Sequence, residues 1–466
     1  MVGTNWGLDP DKLLWTYKAL VRPVIAYACT IWSPRILTTK LRINPLKKLE
    51  NLALLMTTKA FKSTSQEALH IILDILPLEL YLEKMSTMNA IKLKKQGHWP
   101  QQSIDTSNFK SFQTCQQIID STIDNMFNDL KLNILHNDYI KPKDIINKNY
   151  TILIENRTEF QLPELTDNII FVYTDGSKQA DDRTGYGVYI YHHNTTTTCE
   201  EFDRLQSFNT VFQSEAYAII RAANILINLK IENKNIYIFS DSQSVLTSLK
   251  SVDTDRQTIF SCHELIQTLA ECNNVNLRWI PAHSGYHGNE KADELANKGA
   301  HKEGDPSNNG PLITLSYLKS HINSHVKDRQ LLQWRYSDVS DICKEMIDPM
   351  LEVKLDRNKI VYNLPTNLLK DVVQFITGHN HLSYHQHRIG NTELNTCQYC
   401  DEMEEETAHH IICCCPVFTT TRMEYFGESP TTMLHIYSMA KAKNDNLKFL
   451  GKFLQKIDLK NYYKIR

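Results

Sequence analysis

The sequence feature that most constrains this chain is the run Phe171-Val-Tyr-Thr-Asp-Gly-Ser177, read with three acids that follow at wide spacing, Glu215, Asp241 and Asp293. The segment Asn168-Ile-Ile-Phe-Val-Tyr173 is rich in β-branched and aromatic residues and predicts a buried strand. That strand delivers Asp175 to its end, where Gly176 and Ser177 let the backbone leave the sheet. In Gln213–Leu226 the apolar positions Ala218, Ile219, Ala222, Ile225 and Leu226 recur at helical spacing, which puts Glu215 in the first turn of a helix. A second strand, Asn235–Ser240, ends at Asp241, with a helix from Ser242 to Leu249 behind it. Leu277–Asn297 then runs strand, Gly-rich loop and helix, and Asp293 falls on that helix. Two strand-end carboxylates and two helix carboxylates can therefore converge.

Acids gathered in one place repel each other and raise their own pKa values, so such a site calls for divalent cations. Hard oxygen ligands select magnesium or manganese over zinc. A pair of such ions suits in-line phosphoryl displacement, one activating water and the other stabilising the leaving oxygen. The chemistry expected of this cluster is phosphodiester hydrolysis. Each acid has a blander reading when taken alone. Asp-Gly-Ser is a common turn, Glu215 an acid favoured by a helix dipole, and Asp241 an N-cap for the helix after it. Only the four together, in order and at compatible spacing, single out chemistry.

Thr174-Asp-Gly-Ser177, Ser214-Glu-Ala-Tyr217, Ser240-Asp-Ser-Gln243 and Pro281-Ala-His-Ser-Gly-Tyr-His-Gly-Asn-Glu-Lys-Ala-Asp293 resemble the four motifs of type 1 ribonuclease H, in that family's order. The resemblance covers residues 166–302. It implies an α/β domain with a mixed five-stranded sheet and flanking helices, and an endonuclease that cuts the RNA strand of RNA–DNA hybrids with two magnesium ions, or manganese in their place. The family's acid tetrad falls on Asp175, Glu215, Asp241 and Asp293, with Asp293 completing the second ion's shell. Its mobile histidine, for proton transfer or product release, falls on His283. Gly176, Ser177 and Gln243 match positions that contact the hybrid's minor groove, where 2′-hydroxyls are displayed, and Asn289 matches a further motif position. The residue three before Glu215 is Phe212, where some members carry a polar group for substrate. His287 is expected to pack in its loop and His263 to lie on a helix surface. One helix, Gln257–Cys272, fits between Leu249 and the Leu277 strand, as in the retroviral form that lacks an extra basic handle helix.

The chain of 466 residues allows several domains, and its 42% hydrophobic and 22% charged content is that of a globular protein. No stretch approaches the roughly eighteen unbroken apolar residues of a membrane span; Arg22 and Pro23 interrupt the most apolar N-terminal segment. Met1–Gly7 lacks the pattern of a signal peptide, so the expected setting is intracellular, nucleus or cytoplasm, and not secreted. Charge is unevenly spread. Residues 1–62 hold ten Lys/Arg against three Asp/Glu, residues 166–302 hold twelve against seventeen, and residues 436–466 hold eight against two. Basic terminal segments around an acidic centre suit a nucleic acid gripped away from the metal site, and equally suit solvated helix faces.

Residues 9–99 carry helical spacing throughout, with Ser63–Gln66 as a capping box for Gln66–Leu73. Leu20–Trp32, Leu49–Leu55 and Glu67–Leu78 resemble the segment after the polymerase palm in Jockey-type non-LTR retrotransposon reverse transcriptases, a helical thumb or connection region. The Tyr/Phe-x-Asp-Asp polymerase signature does not occur, so DNA synthesis by this chain is not expected. Residues 101–165 read as a connector with one helix, Cys115–Leu135. After the linker Glu303–Pro311, helices are expected over Thr314–Asp338 and Leu364–Thr377.

Cys397-x-x-Cys400, His409-His410 and Cys413-Cys414-Cys415 then have the spacing of a structural zinc site. Spacing leaves open which His and which cysteine complete it. Thr377–Leu382, Cys397-x-x-Cys400 and His410–Pro416 resemble the C-terminal His/Cys motif of the same retrotransposon family, which implies Cys397, Cys400, His410 and Cys415 as ligands. Cys413 and Cys414 are then small core residues, and Asp401–Glu406 a solvated loop. The expected order is a helical thumb remnant at 1–100, a connector at 101–165, the nuclease domain at 166–302, a helical tail at 303–390, the zinc-knuckle-like motif at 391–420 and a basic segment at 421–466. Two competing readings are a catalytically inactive nucleic-acid-binding remnant and a DDE-type transposase; the latter calls for a final Glu, where this chain has Asp293. Oligomeric state is not encoded in any of these features.

Overall fold

The computed structural model describes residues 8–99, 110–127, 137–164, 166, 168–192, 198–304, 306, 310–353, 364–443, 445 and 447–457. Residues 128–135 of the expected connector helix, parts of the 303–311 linker and the last nine residues of the basic segment lie outside these. The chain forms two compact units: Lys94–His98 with Lys131–His321, and Met1–Leu93 with Trp99–Leu130 and Ile322–Arg466.

The first of these is built on β1 (Tyr139–Asp144), β2 (Thr151–Leu153), β3 (Ile169–Lys178), β4 (Thr184–His192), β5 (Thr198–Leu205), β6 (Asn235–Ser240), β7 (Asp253–Arg256) and β8 (Asn274–Trp279). Its helices are α1 (Val211–Asn228), α2 (Gln243–Lys250), α3 (Gln257–Leu269) and α4 (His287–His301). Six strands form one mixed sheet in the order β2-β8-β6-β3-β4-β5, with β2, β8, β6 and β3 parallel and β4 antiparallel to both β3 and β5. The expected five strands are thus joined by β2, from the segment read as connector. Its three residues add to the sheet edge beside β8 and are half exposed, so they carry no hydrophobic alternation to announce a strand. β1 and β7 pair separately as a ribbon. Asp138 ties this ribbon down, accepting from the Thr258 N–H at 2.7 Å and from Gln213 Nε2 at 3.0 Å.

Both faces of β3 are buried because its side chains alternate between two cores. Ile170 and Val172 join Ile236, Ile238, Ala222 and Ile259 on one face; Phe171 and Tyr173 join Phe239, Tyr189 and Leu295 on the other. α4 approaches β4 at backbone distance. A Cβ on Gly187 would lie 2.4 Å from both Ala292 O and Ala296 N, so only glycine fits there. His263 is not on a helix surface: it is 9% exposed, with Nδ1 2.8 Å from the Tyr150 hydroxyl. His287 is exposed at the start of α4 and does not pack in the loop.

The helical unit draws its core from the segments expected as a thumb remnant, a tail and a zinc motif alike. Leu14, Leu54 and Leu69 share one core with Met346, Val372, Ile412, Tyr437 and Phe453. Helices of this length cannot bury an apolar face alone, and here the partner surface comes from the far end of the sequence. The cap of Gln66–Ile72 is Ser65, not Ser63: its hydroxyl accepts from Ala68 N. Deeper in the unit, Glu50 is fully buried, 2.6 Å from Arg22 Nη2 and 3.1 Å from His70 Nε2. Burial opposes its charge, but the His70 and Arg22 contacts outweigh that and hold its pKa at about 2. Among the described residues no helix is long and apolar enough to cross a membrane.

Candidate active site and cysteine cluster

β3 and β6 are parallel, and their pairing ends at Thr174 and Ser240. The next residues on each are Asp175 and Asp241, so the two carboxylates stand side by side at the carboxyl edge of adjacent strands, where open parallel sheets place ligands. Asp175 is not at a strand end, as expected from Gly176-Ser177, because β3 continues to Lys178 against β4. Gly176 serves a different need. A Cβ there would lie 2.4 Å from Glu215 N and 2.5 Å from Ser214 Oγ, so the missing side chain lets α1 dock against the strand. α1 starts at Val211 with a Thr210/Gln213 capping box, which makes Glu215 its fifth residue rather than a first-turn acid. Asp241 is not the N-cap of α2, a position held by Ser242.

Carboxylate oxygens of Asp175, Glu215 and Asp241 lie within 4.8 Å of one another. A cavity of about 260 Å³ opens over them, lined by Asp175, Gly176, Ser177, Asp241, His283, Asn289 and Asp293, with Lys178, Val211 and Glu290. Asp293 faces the same cavity from α4, although outside the 4.8 Å group. Gln243 is exposed on the first turn of α2 and is not part of the lining. Lys178, Val211 and Glu290 have no individual signal in the sequence; Lys178 is reached only because β3 runs past Ser177, and its Nζ donates to Ser207 O and Asn209 O at 2.8 and 3.0 Å.

The electrostatics are those of crowded anions. Burial first, then the charges of Asp241 and Asp293, push Asp175 up to about 7 against a hydrogen bond from the Gly176 N–H. Burial and the neighbouring aspartates put Glu215 well above the ordinary carboxylate range. Asp241 is also raised, by burial and by Asp293, with His283 and the Asn289 side chain pulling the other way. Glu215 Oε2 and Asn289 Oδ1 are buried without hydrogen-bond partners. Buried polar oxygens that nothing in the protein satisfies, in an all-oxygen donor set of like charge, fit a hard divalent cation such as Mg²⁺.

In the helical unit, Cys397, Cys400, His410 and Cys415 bring their ligand atoms within 4.8 Å of one another, with Cys400 Sγ 3.4 Å from His410 Nε2. The Cys397 backbone is held by its N–H to Glu404 O at 2.7 Å, and the His410–Cys415 turn by the Cys415 N–H to His410 O at 2.7 Å. The fully buried Arg422 donates to the carbonyls of Ile411, Cys414 and Cys415. A hydrogen bond from Cys415 holds the Cys397 thiol below the usual thiol range. Three sulfurs and an imidazole in this arrangement suit zinc. His409 points elsewhere, toward Glu345 at 3.5 Å. Cys413 is a core residue, but Cys414 is exposed, contrary to the expectation for it. Glu406 is not solvated either: it is fully buried and accepts from Ser383 N and Oγ.

Residues 167–301 match the family model described as RNase H. A ribonuclease H from Ruthia magnifica subsp. Calyptogena magnifica is 27% identical over 143 residues, covering 28% of this chain and 94% of the relative. Among solved structures, RNase H1 from the halophilic archaeon Halobacterium salinarum NRC-1 is 20% identical, covering 28% of this chain and 98% of that one, with a TM-score of 0.24. The N-terminal RNase H domain of a Mycobacterium tuberculosis protein, in fusion with maltose-binding protein, is 19% identical with the same coverages and the same TM-score of 0.24. The chain thus carries an RNase H domain over residues 167–301.

Proposed function

We propose that this chain hydrolyses the RNA strand of RNA–DNA hybrids, in a divalent-metal-dependent reaction. The observation that carries the reading is the convergence of Asp175, Glu215 and Asp241 within 4.8 Å beneath an open cavity that Asp293 and His283 also line. Asp175, Glu215 and Asp241 would hold Mg²⁺ ions, or Mn²⁺, with Asp293 completing the set. When bound, such ions supply an activated water and stabilise the leaving oxygen. The protein's own groups do the rest. Asn289 lines the cavity beside Asp241, and its side chain favours the charged form of that carboxyl. The backbone at Gly176 and Ser177 borders the cavity, where it can meet the 2′-hydroxyls that separate RNA from DNA. His283, exposed at the rim, can carry a proton to or from the phosphate and then swing clear for product to leave.

The helical unit gives the domain its context. Its resemblance to retrotransposon sequence supports an origin in a Jockey-type element, with a structural zinc ion at Cys397, Cys400, His410 and Cys415 and basic terminal segments that add affinity for nucleic acid. An intracellular location, nucleus or cytoplasm, follows from that reading. The decisive test is cleavage of a labelled RNA–DNA hybrid with Mg²⁺, beside single-stranded RNA and duplex DNA. Asp241→Asn is expected to lose hybrid cleavage by roughly a thousandfold or more while remaining folded. Full activity in that variant would refute the assignment.

A further inference from the structure

The residues that carry the proposed chemistry all fall inside 167–301, yet the loop that bears His283 is held from outside that range. After β2 the chain turns at Asn156–Glu159, where the Glu159 N–H donates to Asn156 O at 2.9 Å, and Phe160 then enters the core at 6% exposure. Its ring meets Tyr286 edge-on at 5.2 Å and Phe239 at 6.2 Å. The Arg278 guanidinium lies 5.3 Å from the centre of the Phe160 ring and pairs with Glu155. One turn of chain away, Arg157 Nη2 donates to Ser284 Oγ at 2.9 Å, and that hydroxyl donates onward to Ala282 O at 3.0 Å.

These contacts bracket one residue. Ala282 and Ser284 flank His283, whose backbone sits in the left-handed region at φ 47°, a conformation an L-residue keeps only when its surroundings enforce it. Tyr286 closes the loop and begins α4: its carbonyl accepts from Asn289 N at 2.9 Å and Glu290 N at 3.0 Å. One edge of the loop is therefore pinned by Phe160 through Tyr286, and its crest by Arg157 through Ser284.

We propose that Glu155–Phe160 forms a brace for the loop Pro281–Tyr286, with Arg157 and Phe160 as positioning residues that hold His283 over the acidic cavity. The proposal rests on the ribonuclease reading above. Arg157 touches neither the acids nor the cavity lining, so its influence on turnover runs through the loop. The hydrogen bond is exposed and adds little to global stability, so its effect is confined to how the loop is held.

The test uses the full chain with Mg²⁺ and a labelled RNA–DNA hybrid, and compares wild type, Arg157→Ala, Ser284→Ala, His283→Ala and the double variants. Arg157→Ala is expected to lower kcat roughly five- to twentyfold with KM within about twofold, and to leave the urea unfolding midpoint unchanged. Ser284→Ala should reproduce the loss, and adding Arg157→Ala to it should cost nothing further. In the His283→Ala background, Arg157→Ala should have no effect on kcat, an outcome a merely structural role would not give. Wild-type kcat in Arg157→Ala, or the same loss with and without His283, overturns the brace. An inactive wild type overturns the ribonuclease reading itself, and so differs from an active enzyme indifferent to Arg157.

Discussion

Replacing Asp175 by Asn removes a charge that the fold holds at a cost. Burial and two neighbouring aspartates move its pKa from 3.8 to about 7. Such a carboxyl binds its proton more tightly folded than unfolded, so its contribution to stability falls as pH rises above the unfolded value and keeps falling until the folded value is passed. Every tenfold change in proton affinity corresponds to about 1.4 kcal/mol, so the penalty near pH 8 is at most about 4 kcal/mol. Coupling to Glu215 and Asp241 means that removing one charge also relieves the other two, while Asn still carries a buried polar amide. In metal-free buffer at pH 8, Asp175→Asn is therefore expected to stabilise the unit that carries the RNase H domain by about 1–4 kcal/mol in urea unfolding, with the gain vanishing near pH 4. Adding Mg²⁺ should stabilise wild type and do little for the variant, whose hybrid cleavage should be lost. A variant less stable than wild type at pH 8 without metal would refute the reasoning, because the three carboxylates would then not be repelling one another.

Four other outcomes follow from particular contacts. Gly187→Ala should cost about 1–3 kcal/mol or more and reduce cleavage, since its Cβ would meet the backbone of α4 and push Asp293 away; urea unfolding and activity measure both. Glu50→Gln should destabilise the helical unit by about 3 kcal/mol by leaving Arg22 buried without its counter-charge. Because the Glu50 pKa is depressed from 4.5 to about 2, wild type should lose that increment as pH falls through this window and the variant should not, as circular dichroism at graded pH would show. The purified chain is expected to carry one zinc, lost in Cys400→Ser with a lower unfolding midpoint and retained in Cys414→Ser, by metal analysis. A fragment restricted to 167–301 lacks β2, Asp138 and Phe160, and should unfold at lower urea than 131–321.

What is legible in the sequence is what repeats locally. β3 and β6 can be read because each is a run of β-branched and aromatic residues buried on both faces, and α1 and α4 because small and apolar residues recur at helical spacing. The acids stand out because each follows or punctuates one of these elements. β1, β2 and β7 do not, since their side chains are largely exposed and leave no pattern of two. The shared core of the helical unit is hidden for another reason. Periodicity shows that a helix has an apolar face, but not that Leu69 will meet a surface from beyond residue 340. His263 defeats the same reasoning because a histidine at a helical position looks the same whether it faces solvent or the Tyr150 hydroxyl.

The glycines explain why the acids meet where they do. Carboxylates on β3, just after β6, and on α1 and α4 can share one cavity only if both helices come closer to the sheet than ordinary side chains permit. Gly176 opens that distance for α1 and Gly187 for α4, where any Cβ would sit within 2.4 Å of backbone atoms. Residues without side chains thus set the separation of the residues whose side chains matter. The crowding they impose raises the pKa values of Asp175, Glu215 and Asp241, and leaves Glu215 Oε2 unsatisfied. A fold that selection tuned for metal-free stability would relax this crowding. Keeping it makes sense where a divalent cation offsets the repulsion, because ligands already held together at a cost bind such an ion more tightly than ligands that must first be gathered.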